Sequence, residues 1–298
     1  MLYLVLAVVS SVLISVLMRV SEKSVKNPML LFVANYFVCI LISIAYMGQI
    51  TVDLHAPKIG TALVLGICSG ILYLLGFVLL QYNIRKNGVV LSSTFMRLGV
   101  LVPTAMAVVV FHEKPNVTQL LGFLVALAAI LVMNLKMGES KELSEKTADV
   151  VEAPTEKKKV PGIVWLIILL LTGGFTDSLA NVYDKAGNPD LKNQYLLFIF
   201  FVAFVCSVIG ALLQVKKQKT NYMDFVWGFL IGIPNYYSAR FLLLSLGKLP
   251  AILVYPAFNV ATILVVTLVG VIGFKEKLEK NKVIALGMIL LALVLLNI

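Results

Sequence analysis

Apolar runs of about 20 residues recur along the whole chain, separated by short charged or turn-rich segments. A helix needs about 20 apolar residues to cross roughly 30 Å of hydrocarbon. The runs at 1–19, 28–47, 59–80, 88–111, 117–136, 161–183, 194–214, 222–246, 250–273 and 282–298 therefore predict ten membrane spans. One long hydrophilic stretch, 137–159, mixes charges with almost no large apolar residues and reads as a linker. The first run has no basic segment before it and no small-residue cleavage site after it. It reads as a membrane helix rather than a cleaved leader.

Composition agrees with this pattern. The 298 residues are 60% hydrophobic and 13% charged, against about 45–50% and about 25% in soluble domains. The net charge of +10 does not indicate nucleic acid, because the basic residues lie between apolar runs rather than in a patch with stacking aromatics. They act instead as a topology signal. Of 25 lysines and arginines, 18 fall in alternate loops on one side and five on the other, with Arg97 and Arg240 inside spans. The positive-inside rule then puts the linker in the cytoplasm and both termini outside a bacterial plasma membrane. Cys39, Cys68 and Cys206 lie within apolar runs and read as small core residues.

The chain also repeats itself. "FHEK" at Phe111–Lys114 returns as "FKEK" at Phe274–Lys277, and Ser10, Ser11 and Ser15 fall on Gly173, Gly174 and Ser178 at the same offset of 163. Leu30–Phe32 returns at Leu196–Phe198, and Gly66/Gly70 at Gly228/Gly232. Duplicating a unit of five spans turns the second copy upside down, as in the inverted repeats of many secondary transporters. The Gly-x3-Gly pairs allow close helix approach.

Two five-helix halves, a glutamate–basic pair ending the fourth helix of each, and a glycine in each final helix (Gly122, Gly287) resemble the drug/metabolite transporter superfamily, in particular its EamA-like ten-helix members. The resemblance implies an all-α integral membrane fold: a first repeat at 1–136, the linker at 137–159 and a second repeat at 160–298. It also implies cytoplasmic termini, against the charge count; the charges are followed in this reading.

Polar groups inside the spans are few, and helical spacing gathers each set on one face. They are Asn35, Cys39 and Ser43; Ser93, Arg97 and Thr104; Asp177, Asn181 and Asp184; Asn235, Tyr236, Tyr237, Ser238 and Arg240; and Tyr255, Asn259 and Thr262. Such faces turn to protein or water rather than lipid. Asp177 and Arg240 lie at similar depth and are expected either to pair or to couple transport to ions. Arg97 has no obvious acidic partner nearby along its span and is expected either to capture a substrate carboxylate or phosphate, or to bond helix-end carbonyls or pair with Asp177. Ser93, Asn35, Asn181, Asn235, Tyr236, Tyr255 and Asn259 are expected along the same pathway. Glu113 and Glu276 stand beside basic residues where helices meet water, and read as interfacial.

No HExxH motif, zinc-ligand cluster or phosphate loop occurs, so neither a cofactor nor ATP-driven transport by this chain is expected. The reading is a non-enzymatic secondary transporter of small polar metabolites, with amino acids or organic anions favoured. Its partners would be a small substrate bearing an anionic group, the lipid bilayer, no nucleic acid, and a second copy in a homodimer. A lipid-handling protein would instead show a groove open to lipid. An intramembrane enzyme would show a second polar group bonded to Asp177.

Overall fold

The computed structural model describes residues 1–21, 24–48, 56–87, 92, 95–96, 98–134, 162–214, 220–274 and 280–297. Among them are ten α-helices: α1 (Leu2–Ser21), α2 (Pro28–Met47), α3 (Ile59–Asn87), α4 (Leu101–Val109), α5 (Val117–Asn134), α6 (Gly162–Ala186), α7 (Lys192–Gln214), α8 (Tyr222–Leu246), α9 (Ala251–Phe274) and α10 (Lys280–Asn297). Among the described residues six segments are long and apolar enough to cross a membrane, at α1, α2, α3, α6, α9 and Pro189–Leu213, which takes in most of α7; α5 and α10 hold shorter apolar stretches. At 1.5 Å per residue the 25-residue α8 is also long enough, but Asp224, Asn235 and Arg240 lower its apolar content. The linker and Glu276 lie outside the described residues.

Local chemistry sets the helix ends. Asn27 caps α2 by accepting from the Met29 N–H at 3.0 Å, and Pro28 supplies a helical φ at the first position. The same helix stops at Gly48, whose left-handed φ of 69° costs a glycine little. At α8, Asn221 and Asp224 form a reciprocal capping box. The second oxygen of Asp224 accepts from the Lys26 N–H at 2.7 Å, so one buried carboxylate also anchors the α1–α2 turn. Within the fourth predicted span, Ser92, Phe95, Met96 and Leu98 are helical, and α4 follows after a turn at Gly99 and Val100. Pro103 has no N–H to return to the Gly99 carbonyl, which accepts from Val102 instead at 3.0 Å.

The packing is paired. α2 packs on α8 as α3 does on α7; α1 on α8 as α3 on α6; and α1 on α9 as α4 on α6. The pairs α2·α7, α4·α9 and α5·α10 add to these. Each of these contacts is matched when each helix is exchanged for the one five places away, whereas the further contact of α9 on α10 has no match of similar extent. Both Gly-x3-Gly pairs are contact points. A Cβ on Gly66 or Gly70 would lie 2.5 Å from the Phe198 Cβ or 2.6 Å from the Ile199 carbonyl of α7. One on Gly228 or Gly232 would lie 2.4 Å from Leu31 O or 2.7 Å from Asn35 O of α2. The final-helix glycines behave differently: a Cβ on Gly122 would meet Leu296 N at 2.9 Å, while nothing lies within 4 Å of one on Gly287.

Candidate functional site

Four helices, α3, α6, α7 and α8, line a small pocket, open on one side, with about 30 Å³ of room for water-sized groups. Ser69 and Tyr73, one turn apart on α3, face Thr176 and Asp177 of α6 and Tyr195 of α7 across it. Ala180, Leu196, Ile199, Ala239, Leu242 and Leu243 make the rest of the wall. Most of the polar lining is already engaged. The Ser69 and Tyr195 hydroxyls share a hydrogen bond at 3.2 Å, and Thr176 donates to the Thr172 carbonyl at 2.8 Å. The Tyr195 ring lies parallel to Tyr183, with centroids 3.9 Å apart, and the Tyr183 hydroxyl donates to Asn188 O at 2.8 Å. That stack fixes the Tyr195 ring and so the position of its hydroxyl. Two groups remain open: among the described residues, nothing hydrogen-bonds or ion-pairs with the Asp177 carboxylate or the Tyr73 hydroxyl. Both line the same cavity.

The expected Asp177–Arg240 ion pair does not form. Arg240 Nη1 donates to the side-chain oxygen of Asn193 and to the Tyr236 hydroxyl at 3.2 Å, and the guanidinium lies 3.9 Å from the centre of the Tyr46 ring. Tyr46 in turn stacks on Tyr236 with centroids 5.8 Å apart, and its carbonyl accepts from Asn193 at 3.0 Å. Residue counting puts Asp177 and Arg240 at one depth, but depth does not set the direction in which each side chain leaves its helix. A π face and an amide, rather than a carboxylate, take the charge of Arg240.

The remaining predicted pathway residues fall into three settings. Asn235 donates to Asn35 at 3.3 Å and approaches the Cys39 sulfur at 3.9 Å, while the Cys39 thiol donates to Gly232 O at 3.3 Å. This polar knot fastens the α2–α8 contact. Tyr255 donates from its hydroxyl to the Asp177 main-chain carbonyl, tying α9 to α6, and Asn259 donates to Tyr255 O at 3.0 Å. Both are therefore engaged as braces. Asn181, one turn beyond Asp177, is fully buried, and neither end of its amide has a partner among the described residues. Arg97 and Ser93 lie outside the described residues. Of the cysteines, Cys39 is buried, but Cys68 is exposed.

Four further contributors escaped the sequence reading. Glu113, expected only to sit at the interface, reaches across the halves and accepts from the Ala251 and Ile252 N–H groups at 3.2 Å each. It caps the start of α9, where the helix dipole favours a negative charge, and Lys185 lies 3.3 Å from it. Tyr73 carried a weak signal: with Ser69 it makes an i, i+4 polar pair within the otherwise apolar stretch 62–80 of α3. Nothing local marked Asn193 or Tyr195.

The fold is that of a polytopic α-helical membrane protein. Residues 1–135 match the EamA-like transporter family. A Haemophilus influenzae protein described as uncharacterized is 23% identical over 290 residues, covering 93% of this chain and 91% of that protein. One crystal structure of a protein superposes on 99% of this chain and 94% of that one, with a TM-score of 0.72 at 13% identity. At that identity the likeness shows the fold alone.

Proposed function

We propose that this chain is a secondary transporter of small polar metabolites, built of two inverted five-helix repeats at 1–136 and 160–298 that rock about a shared cavity. The observation that carries the reading is the cavity itself, with α3 of the first half and α6, α7 and α8 of the second around a carboxylate that has no partner among the described residues. A transporter site must hold its solute at the repeat interface and leave it weakly enough held to depart. The paired helix contacts support the duplication, and the EamA-like match of the first half supports transport. Amino acids and organic anions remain the favoured substrates, with Arg97 assigned to an anionic group. The plasma membrane, a cytoplasmic linker, external termini and a homodimer complete the proposal. An enzymatic reading draws no support, since the Asp177 carboxylate has no hydrogen-bonded partner among the described residues.

The test is uptake of a metabolite panel into proteoliposomes, with and without a pH gradient, for wild type, Arg97→Ala and Asp177→Asn. Wild type should accumulate at least one small polar solute. Losing one charge-assisted contact of about 1.5–3 kcal/mol should lower flux roughly tenfold to a hundredfold in Asp177→Asn. Equal flux in all three proteins would remove both residues from the pathway, and no flux of any solute would remove the transporter reading.

A further inference from the structure

Independently of the transporter reading, we infer that the end of α8 carries a docking site for an anionic phospholipid, built as a strip of aromatic rings with a cation at each end. Tyr46 of α2 meets Tyr237 of α8 edge-on, with centroids 6.2 Å apart and hydroxyls 3.3 Å apart. Tyr237 stacks on Phe241 at 5.6 Å, and Phe241 on Tyr3 of α1 at 6.3 Å. The Arg240 guanidinium lies 3.9 Å from the centre of the first ring, Tyr46. The Lys248 ammonium lies 4.8 Å from the centre of the last, Tyr3. Two observations place the strip at the bilayer surface, on the lipid side. Tyr3, Tyr46 and Lys248 all lie within two residues of a helix end, where a spanning helix leaves the hydrocarbon. Along α8, Tyr237 and Phe241 continue the helical face of Val226, Leu230 and Ile233, which are 43%, 45% and 47% exposed. Apolar side chains left open on a membrane helix face lipid tails, which are as apolar as they are.

Tyrosine suits this depth, because its ring covers the upper acyl carbons while its hydroxyl reaches the headgroup. The cations add what a plain aromatic belt lacks. A ring face attracts a cation through its quadrupole and brings no opposite charge of its own, so Arg240 and Lys248 keep their charge for a phosphate. Arg240 gives Nη1 to Asn193 and Tyr236, and a guanidinium is a planar fork of five N–H donors, so it has donors beyond these. Lys248 is exposed just past the end of α8. Asp184 reaches the same end of the helix beside Gly247, but Lys192 lies 3.7 Å from it and meets its charge. The strip is separate from the cavity, which Ala239, Leu242 and Leu243 line from α8. Aromatic anchors alone would treat all headgroups alike. Two surface cations favour a headgroup of net negative charge, by roughly fivefold each.

The test uses the full-length protein in a neutral detergent, titrated with phosphatidylglycerol or phosphatidylcholine of identical acyl chains and read by native mass spectrometry. Phosphatidylglycerol should bind roughly tenfold or more tightly than phosphatidylcholine, and Lys248→Gln, a change to an exposed side chain outside the helix, should remove roughly fivefold of that preference. Arg240→Gln should lower it as well, with Arg240→Lys, which keeps the charge, retaining most of it. Lys114→Gln is the control: this lysine is exposed at the same end of the bundle but away from the strip, and its loss should leave the preference unchanged. Equal affinity for the two lipids, an unchanged preference in Lys248→Gln, or an equal loss in Lys114→Gln overturns the inference. So does a dimer that takes up no lipid, which would give this face to a second copy. None of these outcomes depends on solute flux, so the transporter reading stands or falls by the uptake assay alone.

Discussion

Replacing Glu113 with alanine tests whether this residue is a helix cap or a surface ion pair. Its carboxylate makes two contacts of different kinds: hydrogen bonds from Ala251 and Ile252 at 3.2 Å, and an approach to Lys185 at 3.3 Å. The Lys185 side chain is 40% exposed and the Glu113 side chain 9%. A pair open to water on one side is worth about 0–1 kcal/mol. Losing a cap costs about 0.5–2 kcal/mol, and hydrogen bonds to a charged acceptor reach about 1.5–3 kcal/mol. Glu113→Ala should therefore cost about 2–3 kcal/mol and Lys185→Ala less than about 1 kcal/mol. Glu113→Gln should fall between them, because its amide keeps one acceptor oxygen for two donors. Hydrogen exchange read on the peptide containing Ala251 and Ile252 is the direct assay, with thermal unfolding in one fixed detergent as the global one. A loss of about 1.4 kcal/mol in local opening is a tenfold faster exchange of those amides. If Lys185→Ala and Glu113→Ala destabilise equally, or if the two amides keep their protection without the carboxylate, the capping account is wrong.

Three other substitutions read different parts of the structure. Gly122→Ala should destabilise by about 1–3 kcal/mol, because its Cβ would lie 2.9 Å from Leu296 N, while Gly287→Ala, with nothing within 4 Å, should unfold at the wild-type temperature or slightly above; equal effects would contradict the packing of α5 on α10. Asn235→Leu removes the donor that satisfies Asn35 and should cost about 1–3 kcal/mol through the buried amide left behind; pairing it with Asn35→Leu should restore part of that, as a double-mutant cycle by thermal melts would show. Arg240→Lys keeps the charge but loses the planar stack on Tyr46 and the fork to Asn193 and Tyr236; a drop of about 1 kcal/mol or more in stability is expected, and a wild-type melting temperature would mean that charge alone suffices.

The helices, their number and their order were legible because a membrane imposes one rule along the chain: apolar for about 20 residues, then polar. Caps at Asn27 and Asn221, the stop at Gly48 and the two Gly-x3-Gly contacts follow from local residue chemistry, and each could be read without a partner in view. Asp177, too, stood out in sequence, since a carboxylate in an apolar run needs a reason wherever it sits.

What each polar side chain meets was decided elsewhere. Glu113 and Ala251 lie 138 positions apart and Asn193 and Arg240 lie 47 apart, so no local period links them. Helical spacing sorts residues onto faces, but the rotation of each helix against its neighbours chooses which faces meet, and that rotation comes from close packing such as Gly228 and Gly232 against α2. The packing turned Arg240 onto Tyr46 and away from Asp177, leaving the carboxylate open to a cavity that the amino-acid order alone does not outline.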